Sequence, residues 1–294
     1  RARQGGPEAR AGGLRLVGHL PKAVALEEAV TAGQISIEHA HALPRHCFNR
    51  TRDWRAGGLD ALTPTAFAEL IVAEHRPAAC QRVFAAMRAA GTWYVPTHVT
   101  REEDARAGDA AFVNDPRLAY LDPLSRWAFR DDLAGTVEAY PNERGRRALD
   151  AYFRHGLRLT GEAQRAGVRV LVGTDTAIGG FRYHDEMALL VRAGLTPGAV
   201  LKAATIDAAR YAGLEAESGS IAIGKRADLV LLDANPLASI THTRRIRAVF
   251  LNGRLYDRAR LDALLDFTRS QASAPHNWVK LLWGFALSSV TTDL

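Results

Sequence analysis

Short apolar runs that stop at a ligand-type side chain recur along this chain. Residues 14–17 (LRLV) lead to His19, residues 34–37 (QISI) to His39, and residues 169–172 (RVLV) to Asp175. A further run, residues 92–95 (TWYV), ends before Pro96, with His98 shortly after. Brief β-rich runs bounded by glycine, proline or polar residues predict strands. Between them the apolar spacing turns helical: residues 24–32, closed by Gly33, then 64–74 behind Thr63-Pro64, 77–90 and 144–166. Two shorter helices are predicted over 184–192 and 197–212. Residues 40–63 read as loop, and 99–143 as a long irregular insertion of the kind that builds a pocket or a lid. Strands alternating with helices predict an α/β fold with a parallel sheet, whose ligands gather at the carboxyl ends of the strands.

From Gly219 the pattern changes to short β runs, GSIAIGKRADLVLLDANP and IRAVFLNGRLYDR, with Asn252-Gly253 as a hairpin turn. The predicted divisions are therefore 1–218, 219–257, and a C-terminal helix and tail over 258–294. The apolar stretch 278–290 has only 13 residues and includes Lys280, too few to span a bilayer. It predicts a packed tail or a contact between subunits of a homo-oligomer.

Composition narrows the function classes. The 294 residues are 47% hydrophobic and 24% charged, ordinary for a soluble globular chain. The net charge of +6 is carried mostly by arginine with acids interleaved, and no aromatic-basic pattern points to nucleic acid. Cys47 and Cys80 are the only cysteines, so neither a disulfide framework nor a zinc-cysteine motif is expected.

The chemistry lies at the strand ends. Neutral imidazoles suit zinc and similar ions, and a carboxylate beside them serves as ligand and proton acceptor. A single such histidine is more often structural, but His19, His39 and Asp175 share one context and predict one site. Asp175 also suits a helix N-cap. Thr174 and Thr176 are placed to fix its carboxylate by hydrogen bonds.

The segments GLRLVGHLP, AVTAGQISIEHAH, TWYVPTHVT, GVRVLVGTDT, YHDEMALLVRAGLTP, AATIDAARYAGL and GSIAIGKRADLVLLDANPL occur in this order from about residue 13 to 256. In this combination the chain resembles the metal-dependent amidohydrolase superfamily, above all its imidazolonepropionase-like and Xaa-Pro dipeptidase-like members. The resemblance implies strands five to eight of a TIM-type (β/α)8 barrel, a partial barrel here, joined to part of a small β-sandwich. It makes His19 and His39 metal ligands and Asp175 both a ligand and the catalytic proton relay. It also implies a divalent metal, zinc by ligand type, with one or two ions in a complete protein. The family's first-strand His-x-His pair and fourth-strand Lys or Glu have no match, since His39-Ala40-His41 falls at strand six. With Arg1 at the start, the chain reads as a C-terminal portion that begins in the fourth barrel helix.

Substrate-binding candidates are His98 after strand seven, then Arg182, Tyr183, His184 and Glu186 after strand eight. An arginine fork can take a substrate carboxylate. His41 is left open, and His46, His75, His155, His242 and His276 are expected to be structural or exposed. The function implied is hydrolysis of a C–N bond in a small amide, cyclic amide or dipeptide by metal-activated water. The alternatives are a non-catalytic fragment or oligomerising module, and a phosphotriesterase-like hydrolase. Localisation stays open.

Overall fold

The computed structural model describes residues 11–275. Strands β1 (Ser36–Glu38), β2 (Trp93–Val95) and β3 (Arg169–Val170) form a parallel sheet in the order β1-β2-β3. Ile37 lies opposite Tyr94, and Trp93 opposite Arg169. The run at 14–17 contributes only one parallel bridge, between Leu16 and Gln34. Leu14 and Val17 are 70% and 51% exposed, so neither apolar side chain draws that run into a full strand.

Helices cover the sheet because their apolar positions repeat on one face. Helix α1 is Leu26–Thr31. The stretch expected as loop holds two short helices, α2 (Ala42–His46) and α3 (Thr51–Arg55), in which Leu43 and Trp54 find buried sites. Helix α4 (Pro64–Ala73) is capped by Thr63, whose hydroxyl accepts from Ala66 N, and α5 is Pro77–Ala90. The supposedly irregular insertion is largely helical: α6 (His98–Ala105), α7 (Ala110–Val113), a 3-10 turn at Pro116–Tyr120 and α8 (Pro123–Ala139). Asp109, Asp115 and Asp122 each accept a backbone N–H of the turn that follows. Helix α9 (Glu143–Arg165) brings Phe153 and Leu157 onto a core with Ile37, Tyr94, Phe84, Met87 and Val170.

Helix α10 (Gly179–Arg192) begins five residues earlier than expected. The predicted helix 197–212 breaks at Thr205 (φ −130°, ψ −95°) into α11 (Pro197–Ala204) and α12 (Ile206–Ala212). Strands β4 (Leu229–Leu232), β5 (Ile246–Leu251) and β6 (Arg254–Tyr256) form a separate antiparallel sheet. Both turn residues between β5 and β6, Asn252 and Gly253, have positive φ (50° and 76°), as a tight hairpin with matching twist requires. Residues 219–228 hold no strand, and Ile221 and Ile223 stand in solvent. Helix α13 (Arg258–Ala272) buries no residue among the described ones, and the apolar stretch 278–290 lies outside them.

One expectation is overturned outright. Cys47 and Cys80, 33 residues apart, are joined by a disulfide that ties the end of α2 to the first turn of α5. No described helix is long and apolar enough to cross a membrane.

Candidate active site

The carboxyl ends of the parallel strands open on a cavity of about 450 Å³. His19 and His39 meet there with Nε2 atoms 2.7 Å apart and ring centroids 4.6 Å apart. The other edge of His39 faces Thr97, Nδ1 to Oγ1 at 3.0 Å, and Asp175, Nδ1 to Oδ2 at 3.7 Å. His41 stacks on His39 at 5.4 Å. Three predicted positions, His19, His39 and Asp175, are thus brought together.

The backbone shows how the strand ends aim these groups. His39, Thr97 and Asp175 lie one, two and five residues past the ends of β1, β2 and β3, and they share a left-handed φ, at 69°, 47° and 48°. Non-glycine residues seldom adopt that conformation, which collects at functional sites. Thr97 was not singled out from sequence. Its shared position after a strand was the available signal.

Burial sets the protonation of the wall. Desolvation lowers His39, with His19 close by acting in the same direction. Desolvation also lowers His41, down to about 2, helped by the guanidinium groups of Arg45 and Arg101. Both rings are therefore neutral, the form that binds a cation. Glu38, at the end of β1, is raised by burial, while a bond from Ser36 Oγ at 2.5 Å and the nearby His19 oppose the shift. Two imidazole nitrogens in contact, with the carboxylates of Glu38 and Asp175 lining the same cavity, are a donor set that suits a borderline cation such as zinc once the nitrogens part from 2.7 Å. His19 and His39 would hold it. Asp175, whose side chain is 65% exposed, stands at the other edge of His39.

The insertion forms the opposite wall. Arg101, Glu103, Asp104 and Asp132 line the cavity, with Lys22 from the loop before α1 and Arg45 from α2. Thr176 Oγ1 donates to Glu103 Oε1 at 2.6 Å, which ties the loop carrying Asp175 to α6.

The five substrate-binding candidates stand elsewhere, and none lines this cavity. His98 is fully buried, with Nε2 2.8 Å from Thr160 Oγ1. Arg182 is 3% exposed, donates to Glu102 at 2.9 Å and Asp185 at 2.8 Å, and so joins α6 to α10. Tyr183 donates to Ala204 O at 3.3 Å. His184 pairs with Thr243 at 2.9 Å and faces a different cavity beside α13. Glu186 is fully buried and accepts from Val99 N at 2.8 Å.

Glu186 makes a stability prediction. Burial pushes its carboxyl up to about 8, against the opposing hydrogen bonds at the start of α6. The folded protein then holds a proton that the unfolded chain gives up near pH 4.3, so stability falls as pH rises from there toward 8. Glu186→Gln is expected to be more stable than the parent at pH 7 and to lose most of that slope. Urea midpoints at pH 5 and pH 8 test it, and an equal fall in both proteins would refute it.

The sequence pattern of the Amidohydrolase family matches residues 8–256, and the chain belongs to that family. It is 38% identical over 88 residues to ochratoxinase of Aspergillus niger, covering 30% of this chain and 18% of that protein. It is 39% identical over 101 residues to a 5-methylthioadenosine/S-adenosylhomocysteine deaminase of Desulforudis audaxviator, covering 30% of this chain and 24% of that protein. The structure superposes on bottromycin amidohydrolase with a TM-score of 0.61 at 26% identity, covering 91% of this chain and 55% of that one. A Xaa-Pro dipeptidase gives a TM-score of 0.53 at 22% identity, covering 87% and 48%. The fold is thus a mixed α/β fold similar to amidohydrolase TIM-barrel proteins. The chain spans about half the length of these structures and less than a quarter of the curated relatives is aligned.

Proposed function

We propose that this chain carries part of the active site of a metal-dependent hydrolase that cleaves a C–N bond in a small amide or dipeptide. The observation that carries the reading is the convergence of the His19 and His39 Nε2 atoms, 2.7 Å apart, beside Asp175 in the cavity of an amidohydrolase-family chain. On this reading β1, β2, β3 and the bridge at Leu16 are consecutive units of the (β/α)8 barrel, and β4–β6 belong to the small β-sandwich.

A divalent cation held at the site would polarise the scissile carbonyl and lower the pKa of water. The chain's own residues do the rest. His19 and His39 would hold the cation, with Thr97 fixing the His39 ring through Nδ1. Asp175 accepts the proton of the attacking water and passes it to the leaving nitrogen. Lys22, Arg45 and Arg101 offer cationic partners for a carboxylate on the substrate, arginine through its fork. The likenesses to ochratoxinase, to bottromycin amidohydrolase and to a 5-methylthioadenosine/S-adenosylhomocysteine deaminase support a hydrolase reading.

The test is turnover of a panel of N-acyl amino acids, dipeptides and phosphotriesters by the purified protein, before and after chelation. Amide or dipeptide hydrolysis that is lost with chelator, returns with zinc and is absent in His39→Ala supports the proposal. Hydrolysis of the phosphotriesters alone, or amide turnover unaffected by chelation, overturns it.

A further inference from the structure

Away from the candidate active site, a second group of metal-ligand side chains gathers against α9. His75 lies between α4 and α5, Cys80 in the first turn of α5, and Glu162 near the end of α9. One donor atom from each lies within 4.8 Å of the others. Cys47 is bonded to Cys80, and both sulfurs belong to residues with no solvent exposure. None of these residues lines the active-site cavity.

Two buried polar atoms in this cluster have no partner: Nδ1 of His75 and Nε2 of His155. The two rings meet edge to face with centroids 4.8 Å apart, and His155 is only 5% exposed. Arg158 Nη2 lies 2.8 Å from His155 Nδ1. A guanidinium can only donate, so Nδ1 accepts and Nε2 carries the ring proton. The result is a buried N–H with nothing to receive it, next to an unsatisfied ring nitrogen of His75. Folded proteins seldom leave such atoms orphaned without a reason.

We propose that, once the disulfide is reduced, this cluster binds one divalent cation of the zinc class through Cys47, Cys80, His75 and Glu162. Two thiolates, an imidazole and a carboxylate are a zinc-type donor set. The charges balance as well. Arg158 Nη1 bonds Glu162 Oε1 at 2.7 Å, so two thiolates, one carboxylate and one guanidinium sum to the opposite of a dication. His155, whose ring meets that of His75 edge to face, would then be the outer partner that steadies the ligating imidazole.

The step is balanced with a dithiol as reductant. The S–S bond takes two electrons and two protons and becomes two thiols, while the dithiol closes to its own disulfide. The cation then displaces the two thiol protons into solvent. The freed sulfurs part to about 3.8 Å, the separation set by two bonds of about 2.3 Å at a tetrahedral centre. Disulfide and metal are thus alternative fastenings of the same 33-residue segment, selected by the redox state of the compartment.

Cobalt(II) titration of the purified protein in a phosphine reductant tests this, because thiolate-to-cobalt charge transfer absorbs in the near ultraviolet. The candidate active site holds no sulfur and cannot give that band. One equivalent of cobalt is expected to raise it in the reduced protein and none in the oxidised protein. The band should fall to about half or less in Cys80→Ser, which keeps one thiolate at Cys47, and persist in the His19→Ala, His39→Ala double variant. His155→Phe should keep the band with affinity weakened by about 10–100-fold. Zinc should bleach the band and shield both thiols from alkylation. A reduced parent without the band, or a band of undiminished affinity in both His75→Ala and Glu162→Gln, overturns the proposal. Should Cys80→Ser fail to fold by circular dichroism, the oxidised parent and Glu162→Gln, a change at a partly exposed side chain, decide the matter.

Discussion

Asp175→Asn is expected to lower amide turnover by about 10²–10⁴-fold while leaving metal content unchanged, the range that a lost general base removes. The amide is nearly the same size as the carboxylate, so the left-handed backbone at residue 175 and the Thr176–Glu103 tie are kept. What is lost is the ability to take a proton. In the structure Asp175 approaches the Nδ1 edge of His39, whereas His19 meets the Nε2 edge. On the proposed function the two imidazoles then hold the metal without help from Asp175, and the effect of the aspartate should appear in kcat rather than in metal stoichiometry. Metal analysis alongside steady-state kinetics checks both halves. A variant that loses its metal would show that Asp175 is chiefly a ligand, and one with parental kcat would remove it from the chemistry.

Arg182→Met is expected to destabilise the fold by about 3–5 kcal/mol, the usual cost of leaving a buried charge pair without one partner. Arg182 is 3% exposed and ion-paired to Glu102 at 2.9 Å and to Asp185 at 2.8 Å, with Glu103 at 3.6 Å. Arg117, at 2.9 Å, and Arg244 also engage Asp185, so that carboxylate keeps partners; Glu102 would keep only Arg192, at 3.9 Å. Arg182→Lys should rescue little, because an ammonium cannot reach Val99 O, Glu102 and Asp185 in the planar fork that arginine uses. Denaturant midpoints with an unchanged m-value measure the effect. A midpoint that hardly moves while KM rises would return Arg182 to the substrate.

The contrast between these two residues shows what sequence can carry. The convergence of His19, His39 and Asp175 was legible because each follows a short apolar run, although only His39 comes directly after a strand, where local geometry fixes the next side chain. His19, His39 and Asp175 needed no knowledge of distant partners. Arg182 and Glu186 sit on a helix, and whether they face substrate or another helix depends on α6, 80 or more residues earlier in the chain. Nothing near them encodes that choice. The insertion was misread for a different reason. Its helix starts are written plainly as Asp115-Pro116 and Asp122-Pro123, caps followed by proline at the first turn, but the irregular spacing of apolar residues masked them. The Cys47–Cys80 contact depends wholly on how α2 and α5 pack, so two isolated cysteines gave no sign of it.

The three left-handed residues at the strand ends bear on how this protein can be improved. Each holds its backbone in a conformation that costs on the order of 1–3 kcal/mol, against a typical net stability of about 5–15 kcal/mol for a whole domain. Glycine at 39, 97 or 175 would release that cost, so a search for heat-resistant variants that scores folding alone is drawn to these three positions. On the proposed function it would then trade away an imidazole of the metal site, the hydroxyl that steadies it or the proton acceptor. Thermostability and turnover pull against each other here at single residues, and a useful library for this chain leaves those three positions untouched.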